Sequence, residues 1–198
     1  MKDLTFLEEG KFSQRDDIVI DIVNYLDDLE TTPLESVTDY VSKLQKSTSG
    51  KDQIYRKRTA SDILDSGFVT GCTDKGLAFV TLTRALGIPT RFVDTFYEPW
   101  LMNLPKSEDG KIHGHVFADV FIDGEWKTYE PIKGFTPKNK YFLRDRGKYV
   151  EIGKGLDFSE IFIKNPKTRE RDSKPTNLGS FKALEDTIKL FEYSNKPY

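Results

Sequence analysis

The 198-residue chain contains one cysteine, Cys72, and two histidines, His113 and His115. Cys72 directly follows Gly71 at the predicted start of a buried helix. The unpaired N–H groups and partial positive charge of a helix N-terminus favour a thiolate over a thiol, and they can hold a developing oxyanion. Gly71 leaves room for a substrate backbone to approach. Cys72 is therefore the candidate nucleophile, and a histidine is the expected base.

A carboxylate partner for His115 follows from the register of a predicted β-hairpin. Asp123-Gly124 favours a two-residue turn, and this turn places Phe117 opposite Glu130. Because side chains alternate along a strand, His115 and Glu130 then share a face, at about 7–8 Å between their backbones. Glu130 is the predicted orienting carboxylate, and Asp119 on the same face is its rival. A thiol, an imidazole and a carboxylate together are typical of nucleophilic catalysis.

The same residues permit a metal site as an alternative. Cys72, His113 and His115 are possible ligands, because a His-x-His segment on a strand points both rings the same way. A fourth ligand would have to come from Asp119 or Glu130. Since the helix start already accounts for the cysteine, we expect neither a metal nor another cofactor.

Composition narrows the class of protein. The formal net charge is −2 with acids and bases interspersed, so the clustered Lys and Arg of a nucleic-acid-binding surface are not expected. No stretch approaches the ~20 apolar residues that span a membrane. Residues 1–11 lack the apolar segment of a signal peptide. We expect a cytoplasmic protein without nucleic-acid or membrane partners, and the sequence carries no signal of its oligomeric state.

Helices are predicted before the cysteine. Ser13 is the expected cap of a first helix, whose apolar stripe consists of Ile18, Ile22, Tyr25, Leu26 and Leu29. Thr32-Pro33-Leu34-Glu35 combines a capping box with proline at the first helical position and starts a second helix towards Leu44. A short helical segment is predicted around Ser61–Leu64.

The cysteine helix and the strands follow. A largely buried helix is predicted over Thr73–Leu86, ended by Gly87-Ile88-Pro89. The predicted strands are Thr90–Phe96, His115–Ile122, Glu125–Pro131 and a segment within Tyr141–Val150. A polar loop at Lys164–Thr176 precedes a last amphipathic helix, whose apolar stripe consists of Phe181, Leu184, Ile188 and Phe191.

Two blocks of the sequence resemble the transglutaminase-like superfamily. Gly71–Ala78, continued by Gly87–Arg91, is similar to the nucleophile helix of that family and the strand after it. His115–Val120, followed by Tyr129-Glu130-Pro131, is similar to the family's histidine strand and to a second strand that ends in Asp-Pro. The blocks occur in the family's order of cysteine, histidine and acid, within residues 58–132.

The resemblance implies an α+β fold with a papain-like transglutaminase core, in which the nucleophile helix packs on an antiparallel sheet. We interpret residues 1–198 as a single domain with its core at 58–132. The domain would carry a helical N-terminal region over 1–46 and a C-terminal helix over 177–193.

The resemblance also implies roles for individual residues. Cys72 is the implied nucleophile, His115 acts as base and then acid, and Glu130 occupies the position where the family has aspartate. Apart from the resemblance, the residues themselves make Gly71, His113, Asp119 and Trp126 candidate supporting or substrate-binding positions.

The implied reaction is acyl transfer from an amide of a peptide or protein through a thioester intermediate. Hydrolysis by a peptidase or amidase is preferred, because cross-linking needs a site that excludes water. Trp100 and Trp126 are the candidates for lining a tunnel that would exclude water from the site. A protein-glutamine transglutaminase and a non-catalytic binding module on the same fold remain the alternatives.

Overall fold

The computed structural model describes residues 4–47, 54, 56–99, 114–132, 142–143 and 147–160. In these ranges the chain forms an α+β fold in which helices pack on an antiparallel sheet. The helices are α1 (Asp17–Asp27), α2 (Pro33–Lys43), α3 (Ala60–Ser66) and α4 (Cys72–Ala85). The strands are β1 (Gln45–Lys46), β2 (Phe68–Val69), β3 (Thr90–Tyr97), β4 (Gly114–Ile122), β5 (Glu125–Tyr129), β6 (Phe142–Leu143) and β7 (Tyr149–Gly155). Short 3-10 helices cover Leu4–Leu7 and Phe158–Glu160.

The main sheet is antiparallel, with strand order β6-β5-β4-β3-β7. Its β4–β5 hairpin has the predicted register, with Ile122 opposite Glu125 and Phe121 opposite Trp126. Both turn residues have positive φ, 56° at Asp123 and 85° at Gly124, as the two-residue turn requires. The turn chemistry therefore determines which side chains of β4 and β5 share a face. The separate pair β1–β2 is parallel and lies beside the helices.

Helix α4 is the centre of the core. Leu77 and Phe79 are fully buried, and α4 contacts β3 and β4 on one side and the other three numbered helices on the other. Gly76 permits the closest approach to the sheet: a Cβ atom at this position would lie 2.3 Å from Cγ1 of Val116 and 3.3 Å from the Phe92 ring. The backbone of α4 therefore lies directly against β4, near the start of that strand.

The predicted N-terminal cap is confirmed for α2 and is wrong for α1. The capping box of Thr32 and Glu35 is present at the start of α2. Helix α1, however, is capped by Asp16, whose side chain accepts a hydrogen bond from the Val19 N–H. Ser13, the predicted cap, is buried instead, where its hydroxyl accepts hydrogen bonds from the Gly10 N–H at 3.0 Å and from Arg84 at 3.2 Å.

The apolar stripe predicted for α1 is only partly correct. Leu26 is buried, and Ile18 and Ile22 pack against the core. Tyr25 and Leu29 remain 58% and 36% exposed. Val19, which the predicted stripe omits, is fully buried.

Helix α2 joins the core to the end of β5. The Thr38 hydroxyl donates to the Leu34 carbonyl at 2.6 Å and lies 2.6 Å from the Tyr129 hydroxyl. Tyr129 stacks on Phe79 of α4, with ring centroids 4.7 Å apart. One buried tyrosine therefore connects β5, α2 and α4 at the position just before Glu130.

The second half of the chain departs from the predicted boundaries. The segment predicted to hold one strand contributes to two, β6 and β7, and β7 continues to Gly155. The predicted loop at 164–176 and the predicted helix at 177–193 lie outside the described residues. Within the ranges given above, no helix combines the length and apolar character needed to cross a membrane.

Candidate active site

Cys72 is the first residue of α4 and is half-buried. Gly71 precedes it as the N-cap, in an extended conformation. No atom lies within 4 Å of the position that a Cβ atom on Gly71 would take. The first N–H groups of a helix have no partners within that helix, and they direct a partial positive charge at this point. The thiol therefore lies beside free N–H donors and an open approach, as the sequence predicted.

A buried ionic network fixes the beginning of this helix. Asp74 is 3% exposed and accepts hydrogen bonds from the Thr70 N–H at 2.9 Å and the Thr70 hydroxyl at 3.0 Å. Arg58 donates to the same carboxylate oxygen at 3.3 Å, and its guanidinium lies 4.3 Å from the Phe68 ring centroid. The network ties the residues on both sides of Gly71 and so determines where Cys72 stands. Sequence reasoning missed this role of Asp74 and Arg58.

His115 is the second residue of β4, next to the place where α4 meets the sheet. Because Gly76 lies against Val116, Cys72 is brought, one helical turn earlier, to the level of His115. The Cys72 thiol lies close enough to the imidazole for its hydrogen bonding and charge to raise the pKa of His115. The structure therefore brings together the predicted nucleophile and the predicted base.

Glu130 supports the other side of the imidazole. Its Oε1 lies 2.7 Å from Nε2 of His115, and the two side chains are 10% and 16% exposed. The hairpin places these residues diagonally, and the length of the glutamate side chain closes the gap. Of the two carboxylates that the sequence left open, Glu130 is the one that contacts His115.

The environment of His115 favours its charged form. Burial lowers the pKa of the imidazole, but hydrogen bonds with Cys72 and Glu130 and the negative charge of both groups raise it to about 9. His115 is therefore protonated at neutral pH. An imidazolium beside a thiol stabilises the thiolate, which is the reactive form of cysteine.

Two aromatic rings confine the imidazole. The Phe117 ring, two residues along β4, lies 4.8 Å from the His115 ring centroid at an interplanar angle of 75°. The Tyr149 ring, from the edge strand β7, lies 5.3 Å from it at 40°. Sequence reasoning missed Tyr149, since no feature of the segment 141–150 showed that its strand would lie near His115.

Asp119 belongs to a different ionic cluster. Its carboxylate accepts hydrogen bonds from Arg91 at 3.0 Å and from the Thr128 hydroxyl at 2.9 Å, and it lies 3.8 Å from Nζ of Lys154. Asp119 lies four positions after His115, which is about 13 Å along β4. The structure does not bring Asp119 to the imidazole.

Trp126 lies farther still from the thiol. Its ring lies 3.8 Å from the Arg91 guanidinium and makes an edge contact with Phe6 at 5.5 Å. It pairs with Phe121, six residues beyond His115, or about 20 Å along the strand. The structure therefore places this supporting residue in a cluster at the turn end of the hairpin.

The remaining sequence candidates concern His113 and a metal. His113, proposed as a substrate contact and as one ligand of the alternative metal site, lies outside the described residues. Among the residues that are described, no group of three or more His, Cys, Asp or Glu side chains is arranged to hold a metal ion. At the start of α4 the structure places a thiol, an imidazole and a carboxylate next to one another, an arrangement that is suited to nucleophilic attack on a carbonyl.

Comparison with known proteins was made against family models and solved structures. Residues 20–131, more than half of the chain, match the family model of the transglutaminase-like superfamily. The crystal structure of a candidate cysteine protease from Cytophaga hutchinsonii is similar in fold, with a TM-score of 0.54 and 18% sequence identity. The match covers 77% of this chain and 46% of that one, so this chain spans less than half of that protein's length. No curated protein sequence matches significantly.

Proposed function

Because this chain belongs to the transglutaminase-like superfamily, we propose that it catalyses cysteine-dependent acyl transfer from amide bonds of peptides or proteins. The observation that carries the proposal is the position of His115, whose Nε2 lies 2.7 Å from Oε1 of Glu130 and whose pKa is raised by the neighbouring Cys72 side chain. Cys72 is the proposed nucleophile, His115 the general base and acid, and Glu130 the carboxylate that orients and charges the imidazole.

The chemistry begins with the thiolate of Cys72. Nε2 of His115 is engaged by Glu130, so Nδ1 is the nitrogen that takes the thiol proton. The sulfur attacks the amide carbonyl carbon, and the oxygen gains negative charge that the Cys72 N–H at the helix start can stabilise. His115 then passes its proton to the leaving nitrogen as the C–N bond breaks, which leaves a thioester on Cys72.

We propose water as the acyl acceptor. Water attacks the thioester carbonyl, His115 accepts a proton from it, and the C–S bond breaks to release a carboxylic acid and the thiol. Transfer to an amine would require a site that excludes water. Trp126, the described tryptophan that sequence reasoning considered for this purpose, packs on Arg91 instead. Peptidase or amidase activity is therefore favoured over cross-linking.

Glutamate in the third position is compatible with this proposal. It is one methylene longer than the family's aspartate, yet its oxygen lies at an ordinary hydrogen-bond distance from the imidazole. The reach fits the diagonal register of the hairpin. Glu130 thus supports the same role from a longer side chain.

Alkylation of Cys72 by dilute iodoacetamide across pH tests the pairing without a substrate. We expect fast alkylation near neutral pH in the native protein and a slow reaction in His115→Ala, with Cys72→Ser as the blank. Alkylation as slow as that of a free thiol and indifferent to His115 would rule out the proposed enzyme and favour a binding module. Stoichiometric zinc in the purified protein would favour the metal site.

The acceptor needs a second assay. A glutamine-containing peptide is incubated with the protein, with and without a labelled primary amine. Released ammonia without incorporated label is expected for a hydrolase. Efficient incorporation of the label would identify a transglutaminase instead.

A further inference from the structure

Tyr149 reaches His115 from across an intervening strand. In the sheet, β7 pairs with β3, where Tyr149 lies opposite Tyr97, and β3 in turn pairs Thr95 with His115. The Tyr149 ring nevertheless contacts the His115 ring, with centroids 5.3 Å apart, and lies 5.6 Å from Phe117. The three rings form a corner in which the imidazole is enclosed on two sides.

The two aromatic walls of this corner differ in their exposure. Phe117 is 2% exposed and belongs to the interior, whereas Tyr149 is half-buried. Tyr149 is backed by Tyr97, whose ring centroid lies 5.4 Å away. Tyr149 is thus the aromatic ring that packs against His115 from the β7 side.

The packing of Tyr149 affects the His115–Glu130 hydrogen bond, on which the proposed function depends. Aromatic rings attract a cation such as an imidazolium. A ring held by packing on two sides has fewer orientations to lose. Both effects keep the imidazole against Glu130 and leave its other nitrogen for Cys72.

We propose that Tyr149 is a positioning residue for His115, which fixes the orientation of the imidazole by packing against its ring. The inference rests on the proposed function of this site. The role belongs to the aromatic ring, since the contacts with His115 and Phe117 are ring contacts.

Three substitutions of Tyr149 and one control variant test whether the aromatic ring is required. Tyr149→Phe keeps the ring, Tyr149→Leu keeps bulk without the aromatic face, and Tyr149→Ala removes the wall. Tyr97→Ala is the matched control, because it weakens the same β3–β7 edge without removing the contact with His115. Urea unfolding of each variant verifies that it is folded.

The first readout is the exchange of the His115 Nε2 proton with water, followed by NMR of the nitrogen-15-labelled protein. The resonance is assigned by its loss in His115→Gln. We expect a protected signal in the wild type, Tyr149→Phe and Tyr97→Ala, and a signal lost to exchange in Tyr149→Ala. Tyr149→Leu is expected to show intermediate protection.

The second readout is the rate of Cys72 alkylation near neutral pH. Tyr149→Ala is expected to react at least about tenfold more slowly, a small part of the 10²–10⁴-fold that positioned acid–base groups contribute. Tyr149→Phe is expected to stay within about twofold of the wild type, because the packing of the ring is retained.

Different results would contradict the role of Tyr149 and the proposed function of the site. A folded Tyr149→Ala that keeps both the protected proton and the wild-type rate overturns the role of Tyr149 and leaves the proposed function intact. Tyr149→Phe behaving like Tyr149→Ala also overturns it, because the hydroxyl would then carry the effect. Wild-type alkylation that ignores His115 overturns the proposed function and this inference together.

Discussion

Nε2 of His115 and Oε1 of Glu130 lie 2.7 Å apart, although the two residues are fifteen positions apart in sequence and diagonal in the hairpin. The distance places the Glu130 carboxylate against one ring nitrogen of a largely buried imidazole. This contact is one of the causes of the raised pKa of His115.

Replacing this charge is the most direct test of its effect. Glu130→Gln keeps the shape but removes the negative charge, so the pKa of His115 is expected to fall from about 9. Titration of the His115 ring protons by NMR measures the change. Glu130→Asp is the matched control, because it keeps the charge and shortens the side chain by one methylene. A pKa as high in Glu130→Gln as in the wild type would show that Glu130 does not charge the imidazole.

The stability of the protein is expected to depend on the protonation of His115. Its folded pKa of about 9 exceeds the ordinary value of 6.5, so the folded state binds this proton more tightly. The resulting stabilisation is complete below pH 6.5 and is lost as the pH rises through 9. At about 1.4 kcal/mol per pKa unit, the loss is on the order of 3 kcal/mol.

Urea unfolding at three pH values, such as about 6, 8 and 10, measures this loss. The His115→Gln variant is the reference, because groups that do not interact with His115 titrate alike in both proteins and cancel in the difference. The excess stability of the wild type over the variant should shrink as the pH rises. An excess that stays constant or grows would contradict the raised pKa.

Gly76 is expected to be intolerant of a methyl group. In Gly76→Ala the new Cβ would lie 2.3 Å from Cγ1 of Val116, so α4 must move away from the sheet. Overpacking of this kind costs about 1–3 kcal/mol, which exceeds the ~0.5–1 kcal/mol that alanine contributes within a helix. We expect a lower free energy of unfolding and slower alkylation of Cys72.

The clash can be relieved by shortening its partner. The variant Gly76→Ala/Val116→Ala is expected to be more stable than the sum of its two single variants implies, since the contacting methyl group is absent. Strict additivity of the three free energies of unfolding would show that Val116 does not limit the approach of the helix.

Asp74 is expected to be required for the structure of the helix start. Asp74→Asn removes the negative charge opposite the buried Arg58, and loss of one member of a buried ion pair costs about 3–5 kcal/mol. Asp62→Asn is the control, because Asp62 is an exposed carboxylate in the capping box of α3, where the cost is about 1 kcal/mol. Equal losses of stability in the two variants would contradict the role assigned to the buried pair.

Much of the site could be predicted because its determinants are local. The Asp123-Gly124 turn fixes the hairpin register, and the register puts His115 and Glu130 on one face. The capping box of Thr32 likewise specifies the start of α2 within four residues. In each case the decisive contacts are made by neighbours in the chain.

The features that sequence reasoning missed depend on distant partners. Ser13 and Asp16 are both capable caps, and Ser13 is used elsewhere because Arg84 binds its hydroxyl. Tyr149 reaches His115 through a β3–β7 pairing whose register shifts between Asp94 and Thr95. Neither the pairing of an edge strand nor an irregularity in its register is encoded in the periodicity of that strand.

The contact of Thr38 with Tyr129 has a consequence for proteolytic control. Proteolytic removal of a pro-segment can act as a switch, and the helical region ahead of Cys72 is a place to look for such a segment. Here α1 and α2 contribute Val19, Val37 and Val41 to the fully buried core, and Thr38 is bonded to the residue before Glu130. A protease that severed α2 from α3 and released these helices would dismantle the proposed catalytic site rather than switch it on.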